Sequence, residues 1–293
     1  MTAAALLAVG AALCYGVSNF VGPRLARDLP LYPVLISGQV VALAVSGLLV
    51  LTELDRGAPS LGEVGAAAAA GAGNALGLLA FYRAAAVGPL SIAAPLGSLG
   101  AVVPVLVGVA EGERLGALKL GAIAIALTGV ALAARRGATP ASATPAPATP
   151  AFAAGDRRAA AGWALVSSLG FGVFLAGMAP AAEAGTFWAV ALSRVALLAI
   201  FALVALRLSS PLRVASRDLP RVMVPGLLLF GGTMLYTAAT RSGDLSVVAV
   251  LGSLFPVFTV GLAFALLGER LSRVQAAGAV MAMLGGVLLA AAR

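Results

Sequence analysis

The chain is 293 residues long, 61% hydrophobic and only 10% charged, with a mean hydropathy of +1.05 and a formal net charge of +8. A soluble domain carries about a quarter charged residues because its surface faces water, so this composition excludes a pair of soluble domains and makes lipid the main solvent. There is no histidine and one cysteine, Cys14, which excludes an internal disulfide, a Cys/His zinc site and the commonest proton shuttle.

A membrane-crossing helix needs about 20 mostly apolar residues, and ten such runs follow one another at roughly 3–22, 30–52, 61–86, 88–110, 115–134, 159–181, 184–206, 219–241, 244–267 and 272–292. The first run lacks a basic leading segment and reads as a span rather than a cleaved signal. Strands do not fit: the runs are too long, they do not alternate, and Ala and Leu favour helix. Inside the third run GAGNALG places Gly73 and Gly77 four apart, a spacing that lets helix backbones approach in lipid. Between the fifth and sixth runs, Pro140, Pro145, Pro147 and Pro150 among Ala and Thr make an extended tether. The chain thus divides into residues 1–134, a linker at 135–158 and residues 159–293, with five spans on either side. The +8 charge does not mark a nucleic-acid partner, because the basic residues sit singly or in pairs at the ends of the apolar runs.

The second half repeats the first. Gly112-Glu113-Arg114-Leu115 recurs 156 residues on as Gly268-Glu269-Arg270-Leu271. Leu96-Gly97-Ser98-Leu99 recurs 155 on as Leu251-Gly252-Ser253-Leu254, Leu90-Ser91 recurs as Leu245-Ser246 at the same offset, and Tyr82 matches Tyr236 at 154. Five is odd, so the second copy enters the membrane from the opposite side. The fold class is therefore an all-α integral membrane protein of ten transmembrane helices in two inverted five-helix repeats, the symmetry of many secondary transporters.

Ten spans in two such repeats, each with a GERL element before a Gly-rich last helix, resemble the EamA-type drug/metabolite transporters. The resemblance implies a central cavity enclosed by spans one to four and six to nine, with spans five and ten at the periphery. It also implies transport of small metabolites, often export of amino acids. The small multidrug-resistance transporters, distant relatives of that family, use a first-span glutamate for proton exchange. Here the first span offers Tyr15, Ser18 and Asn19 instead.

Polar side chains at membrane depth are costly and point to function. No acidic residue lies mid-span, so a side-chain proton relay has no carrier and cationic drugs have no counter-charge. Facilitated movement of neutral or zwitterionic solutes is the expectation. Arg194, near the middle of the seventh run, either meets a substrate carboxylate through its forked donors or ties helices together through backbone carbonyls. Its counterpart 155 residues earlier is Gln39. Asn19, Asn74, Tyr82, Ser98, Tyr236 and Ser253 complete the polar candidates, weighed against a role as interhelical glue. Trp163 is either a cavity wall or an interfacial belt residue. Pro95, Pro104 and Pro256 remove backbone donors inside the fourth and ninth runs, which permits a kink or a gate. Glu113 and Glu269 read as caps that fix their own hairpins.

With the termini cytoplasmic, five basic residues face inward and thirteen outward. The positive-inside rule therefore places both termini outside and the linker in the cytoplasm, of the plasma membrane if the source is bacterial. No nucleotide loop, metal-ligand set or nucleophile–base pair is present, so neither an enzyme nor a cofactor is expected. The partners are a small-molecule substrate and membrane lipid. The rival readings are a non-transporting scaffold or lipid-binding protein and an exporter of another small metabolite or drug.

Overall fold

A computed structural model describes residues 3–88, 90–113, 115–133, 154–209, 212–267 and 273–291. Twelve α-helices follow in order: α1 Ala3–Asp28, α2 Leu31–Val50, α3 Leu61–Val87, α4 Leu90–Ser98, α5 Val102–Ala110, α6 Ala117–Ala133, α7 Ala154–Ala181, α8 Thr186–Arg207, α9 Leu219–Thr240, α10 Leu245–Gly252, α11 Phe255–Leu267 and α12 Arg273–Ala291. No strand occurs among the described residues. Among the described residues seven helical segments are long and apolar enough to cross a membrane, and shorter apolar helices run over Ala117–Leu132, Leu245–Thr259 and Ala276–Leu289. Helices α4 and α5 are one span interrupted at its centre, as are α10 and α11, so twelve helices account for the ten apolar runs. Leu48, Leu106, Leu169 and Leu206 are among the large apolar side chains left exposed on the outer surface, where lipid would meet them.

Two boundaries differ from the sequence reading. Helix α1 continues six residues past its expected end, through Pro23, because its last turns find partners. The Arg24 guanidinium lies 4.6 Å from the centre of the Phe20 ring, and Arg27 Nη2 donates to the Ala85 carbonyl at 3.4 Å. Helix α7 begins at Ala154, inside the stretch read as linker. The rest of that linker and the second GERL element lie outside the described residues.

The two halves interdigitate. The most extensive packing is between repeats, and it follows a two-fold relation: α3 lies along α7 as α1 lies along α9, and α2 meets α9 as α8 meets α3. Helix α2 packs on its own counterpart α8, and α6 on α12. Small residues make this possible, since packing replaces the hydrophobic effect between helices in lipid. Gly38 touches the Gly226 backbone, and Gly71 touches the Ser193 backbone. Gly38 and Ser193 are 155 residues apart, and so are Gly71 and Gly226. One close contact is therefore built twice.

Counting crossings from Ala3, one face of the bundle holds the start of α1, the ends of α2 and α5, the starts of α8 and α10, and the end of α12. This termini face is stitched across the repeats by carboxylates. Glu53, which is 7% exposed, accepts backbone N–H bonds from Thr186 (3.1 Å), Phe187 (2.9 Å) and Trp188 (3.3 Å) at the start of α8. Glu113 accepts from the backbone N–H of Leu245 (2.6 Å) and Ser246 (3.3 Å) and from the Ser246 hydroxyl at the start of α10. These N–H groups have no intrahelical acceptors, and the helix dipole adds its attraction for negative charge. Lys119 pairs with Asp244 at 2.7 Å beside the same helix start. Glu113 is thus a cap, but for the opposite repeat rather than its own hairpin. By contrast α3 caps itself: Ser60 N–H donates to the Glu63 carboxylate at 2.5 Å and Glu63 N–H returns a bond to Ser60 Oγ at 3.3 Å.

Glu113→Gln keeps the shape but removes the charge and one acceptor. It should lower the unfolding free energy by about 1–3 kcal/mol, the range for charge-assisted bonds, in detergent-titration unfolding of the purified protein. An unchanged midpoint would show that the cap carries no stability.

Candidate functional site

Both central breaks fall on the Leu-Gly-Ser-Leu elements. In the first half, α4 ends at Ser98 and a 3-10 turn over Leu99–Ala101 leads into α5; in the second, α10 ends at Gly252 and a turn at Ser253 and Leu254 leads into α11. The same hydrogen bond closes each half-helix: Ser98 Oγ donates to the Pro95 carbonyl and Ser253 Oγ to the Val250 carbonyl, both at 2.8 Å. The prolines act differently from their sequence reading. Helix α4 runs unbroken through Pro95. Pro104 and Pro256 sit in the first turns of α5 and α11, where a missing N–H leaves no intrahelical bond unmade. The interruption lies one turn upstream of each. Gly252, the last residue of α10, lines a cavity at the centre of the bundle.

That cavity is bounded by pairs of residues related by the repeat. Tyr15 of α1 corresponds to Phe171 of α7 at an offset of 156, Asn19 to Leu175 at the same offset, and Asn74 of α3 to Leu229 of α9 at 155; all six line it. Tyr15 rests on Gly232 and Phe171 on Gly77, two glycines again 155 apart, where a Cβ would strike the ring carbons at 2.6 and 2.5 Å. In each pair the polar member comes from the first repeat and the apolar member from the second. Phe174 and Phe255 extend the apolar wall, Phe255 standing edge-on to Phe171 with ring centres 6.4 Å apart. Ser253 adds a hydroxyl at the break. The free space admits water-sized centres over about 30 Å³, room for one or two waters and not for a metabolite. The conformation is contracted around its centre.

Of the residues singled out from the sequence, Asn19, Asn74 and Ser253 meet in this cavity. Tyr236 lies at its edge against Gly252, with its hydroxyl donating to the Leu175 carbonyl at 2.8 Å. Ser98 is buried in α4 and bonded to its own helix. Tyr82 turns toward α1, where its hydroxyl fills the place a Cβ on Gly22 would take. Trp163 lies on the outer surface at 42% exposure, because it sits eleven residues, roughly 16 Å of helix rise, from Phe174 and beyond the level of the cavity. The sequence reading named Tyr15 in the first span but missed its partner Phe171, which the repeat offset applied to α1 would have found. It also missed Glu53 as a cross-repeat cap, for which the sequence carries no local signal.

Arg194 is fully buried in α8. Its Nη2 donates to Thr233 Oγ1 and, at 3.4 Å, to the Leu229 carbonyl of α9. Thr233 in turn donates to the same carbonyl at 2.7 Å. The Nε and Nη1 atoms of Arg194, the Tyr15 hydroxyl, the Asn19 Oδ1 and both amide atoms of Gln39 have no hydrogen-bond partner among the described residues. Buried polar groups left this way are rare in folded proteins. No group of three or more His, Cys, Asp or Glu side chains that could hold a metal occurs among the described residues.

Tyr236→Phe removes the bond to the Leu175 carbonyl while keeping the ring, and should cost about 1 kcal/mol of stability. The unfolding midpoint in detergent checks this, and a wild-type midpoint would mean that the bond contributes nothing.

A solved structure described only as "Crystal structure of protein" superimposes with a TM-score of 0.68 at 17% identity, covering 97% of this chain and 95% of its own. At that identity the likeness concerns the fold alone. No curated protein sequence matches the chain. Residues 158–291, which span the second repeat, match the EamA-like transporter family. On a helical membrane fold whose halves are related by inversion, the second repeat is thus similar to the EamA-like transporter family.

Proposed function

We propose that the protein is a secondary transporter or facilitator that exports neutral or zwitterionic amino acids through the central cavity by alternating access. The observation that carries this reading is the division of the cavity walls, with polar Tyr15, Asn19 and Asn74 on one repeat and apolar Phe171, Leu175 and Leu229 on the other. A small solute with a polar head and a short apolar side chain matches such a space. Its ammonium group has an acceptor in the unpaired Asn19 Oδ1. Its side chain meets the aromatic wall. Two interrupted spans at the repeat interface supply the backbone groups and the pivots that such transporters use, with Pro104 and Pro256 at the gating breaks. Opening the termini face requires the Glu53 and Glu113 caps to release α8 and α10.

Coupling to protons is not part of this reading, because no carboxylate stands at the cavity. Reconstituted in liposomes, the protein should equilibrate a labelled neutral amino acid without a gradient, and an imposed proton gradient should produce no accumulation. Asn19→Leu and Asn74→Leu should each slow initial uptake about tenfold, the cost of roughly one lost hydrogen bond to a charged group. Trp163→Phe should leave it unchanged. Gradient-driven accumulation would sink the facilitator reading, and full activity in both asparagine variants would remove the cavity from the path.

The charge distribution supports an orientation with both termini outside the membrane. A phosphatase fused after Arg293 should then be active in intact cells, and an active cytoplasmic reporter at the same position would reverse the orientation.

A further inference from the structure

Arg194 is the one full positive charge that the described spans bury completely, and its surroundings do not neutralise it. Among the described residues no carboxylate stands within ion-pair distance. A guanidinium that served only to tie helices would spend its donors on backbone carbonyls. Here a single nitrogen, Nη2, makes both hydrogen bonds, and Nε and Nη1 are left unpaired. The Tyr15 ring lies on Gly232, next to the Thr233 that Arg194 holds, and its hydroxyl has no hydrogen-bond partner among the described residues. Tyr15 also lines the cavity. It therefore connects the cavity to the buried charge.

We propose that Arg194, reached through Tyr15, is an anion-recognition site, and that the solute this transporter carries presents a carboxylate to it. The inference rests on the cavity being the transport path and deepens that reading by naming the charge the solute must bring. A carboxylate in the cavity accepts the Tyr15 hydroxyl bond that has no other partner, and an unpaired Arg194 donor, Nε or Nη1, remains for a second carboxylate oxygen. Solutes that carry only an ammonium group meet an uncompensated like charge and are rejected, which is specificity by repulsion as much as by attraction. The same chemistry would accept an inorganic anion such as chloride. The repeat supplies a built-in control, since the position related to Arg194 is Gln39, so Arg194→Gln makes the two halves alike there without asking α8 to hold an unfamiliar shape.

The test is ligand binding to the purified full-length protein in detergent, read as the thermal unfolding midpoint in a chloride-free zwitterionic buffer. Propionate, alanine and alaninamide serve as matched probes, with chloride as a fourth. Propionate and alanine should raise the midpoint and alaninamide should not. Half-saturation by propionate should move up roughly tenfold or more in Arg194→Gln and roughly two- to tenfold in Tyr15→Phe. If Arg194→Gln does not assemble, Tyr15→Phe carries the test. Chloride that stabilises and competes with propionate assigns the site to a small inorganic anion as well, and supports it. Stabilisation by alaninamide equal to that by propionate, or an unaltered propionate response in the variants, overturns the proposal. Because binding is read without transport, propionate binding in a protein that moves no amino acid would count against the transport reading and leave the anion site standing.

Discussion

Inside a bilayer every backbone donor and acceptor has to be met by the protein itself, and this chain breaks two of its spans at membrane depth. That constraint explains much of the architecture. The breaks occur where Ser98 and Ser253 turn their hydroxyls back onto carbonyls three residues earlier. They also occur where the other repeat comes close enough to exclude lipid, since α4 and the turn after it lie on α7, and α10 and α11 lie on α1. Such proximity needs glycine and alanine at the contacts. An interrupted helix, a small-residue interface and a cavity at the repeat boundary are therefore one solution rather than three features.

The two-fold relation is a relation of backbones and packing, and chemistry departs from it. Gly38 with Gly226 and Ser193 with Gly71 make the same contact twice, while the next residue along is Gln39 on one side and Arg194 on the other. Tyr15, Asn19 and Asn74 face Phe171, Leu175 and Leu229. A symmetric frame thus encloses a cavity with unlike walls. Among the described residues the caps that cross between repeats, Glu53 and Glu113, belong to the first repeat and serve helices of the second. The residue 155 beyond Glu53 is Leu208, which has no acceptor to offer in return.

The helical membrane class and the apolar runs were legible because each rests on a local pattern of run length and composition; the breaks were expected at the prolines and fall instead on the tetrapeptide that recurs at a fixed offset. Asn19, Asn74 and Ser253 were legible as cavity residues because polar groups are rare at that depth. Tyr82 and Tyr236 looked equivalent by their spacing, yet one packs on α1 and the other beside the α10 break, since an offset drifting by one residue rotates a side chain by about 100° around its helix. Trp163 was ambiguous because its place depends on how far α7 extends beyond its neighbours. The trans-repeat caps were invisible for a plain reason. Glu53 and Thr186 are 133 residues apart, and nothing near either of them announces the other.

The interdigitation has a consequence for how the protein comes into being. When the first five spans have left the ribosome, the faces of α1, α2 and α3 that carry their tightest contacts have no partners, because those partners are α9, α8 and α7. Membrane insertion can proceed span by span, but the first repeat has to wait in lipid with its glycine faces unmatched and its Glu53 and Glu113 carboxylates still without the helix starts they will cap. Assembly is then a late event that closes contacts across more than a hundred residues at once, a high-contact-order step of the kind that is slow even in water. In the cell, the vulnerable species is the half-made chain rather than the finished transporter.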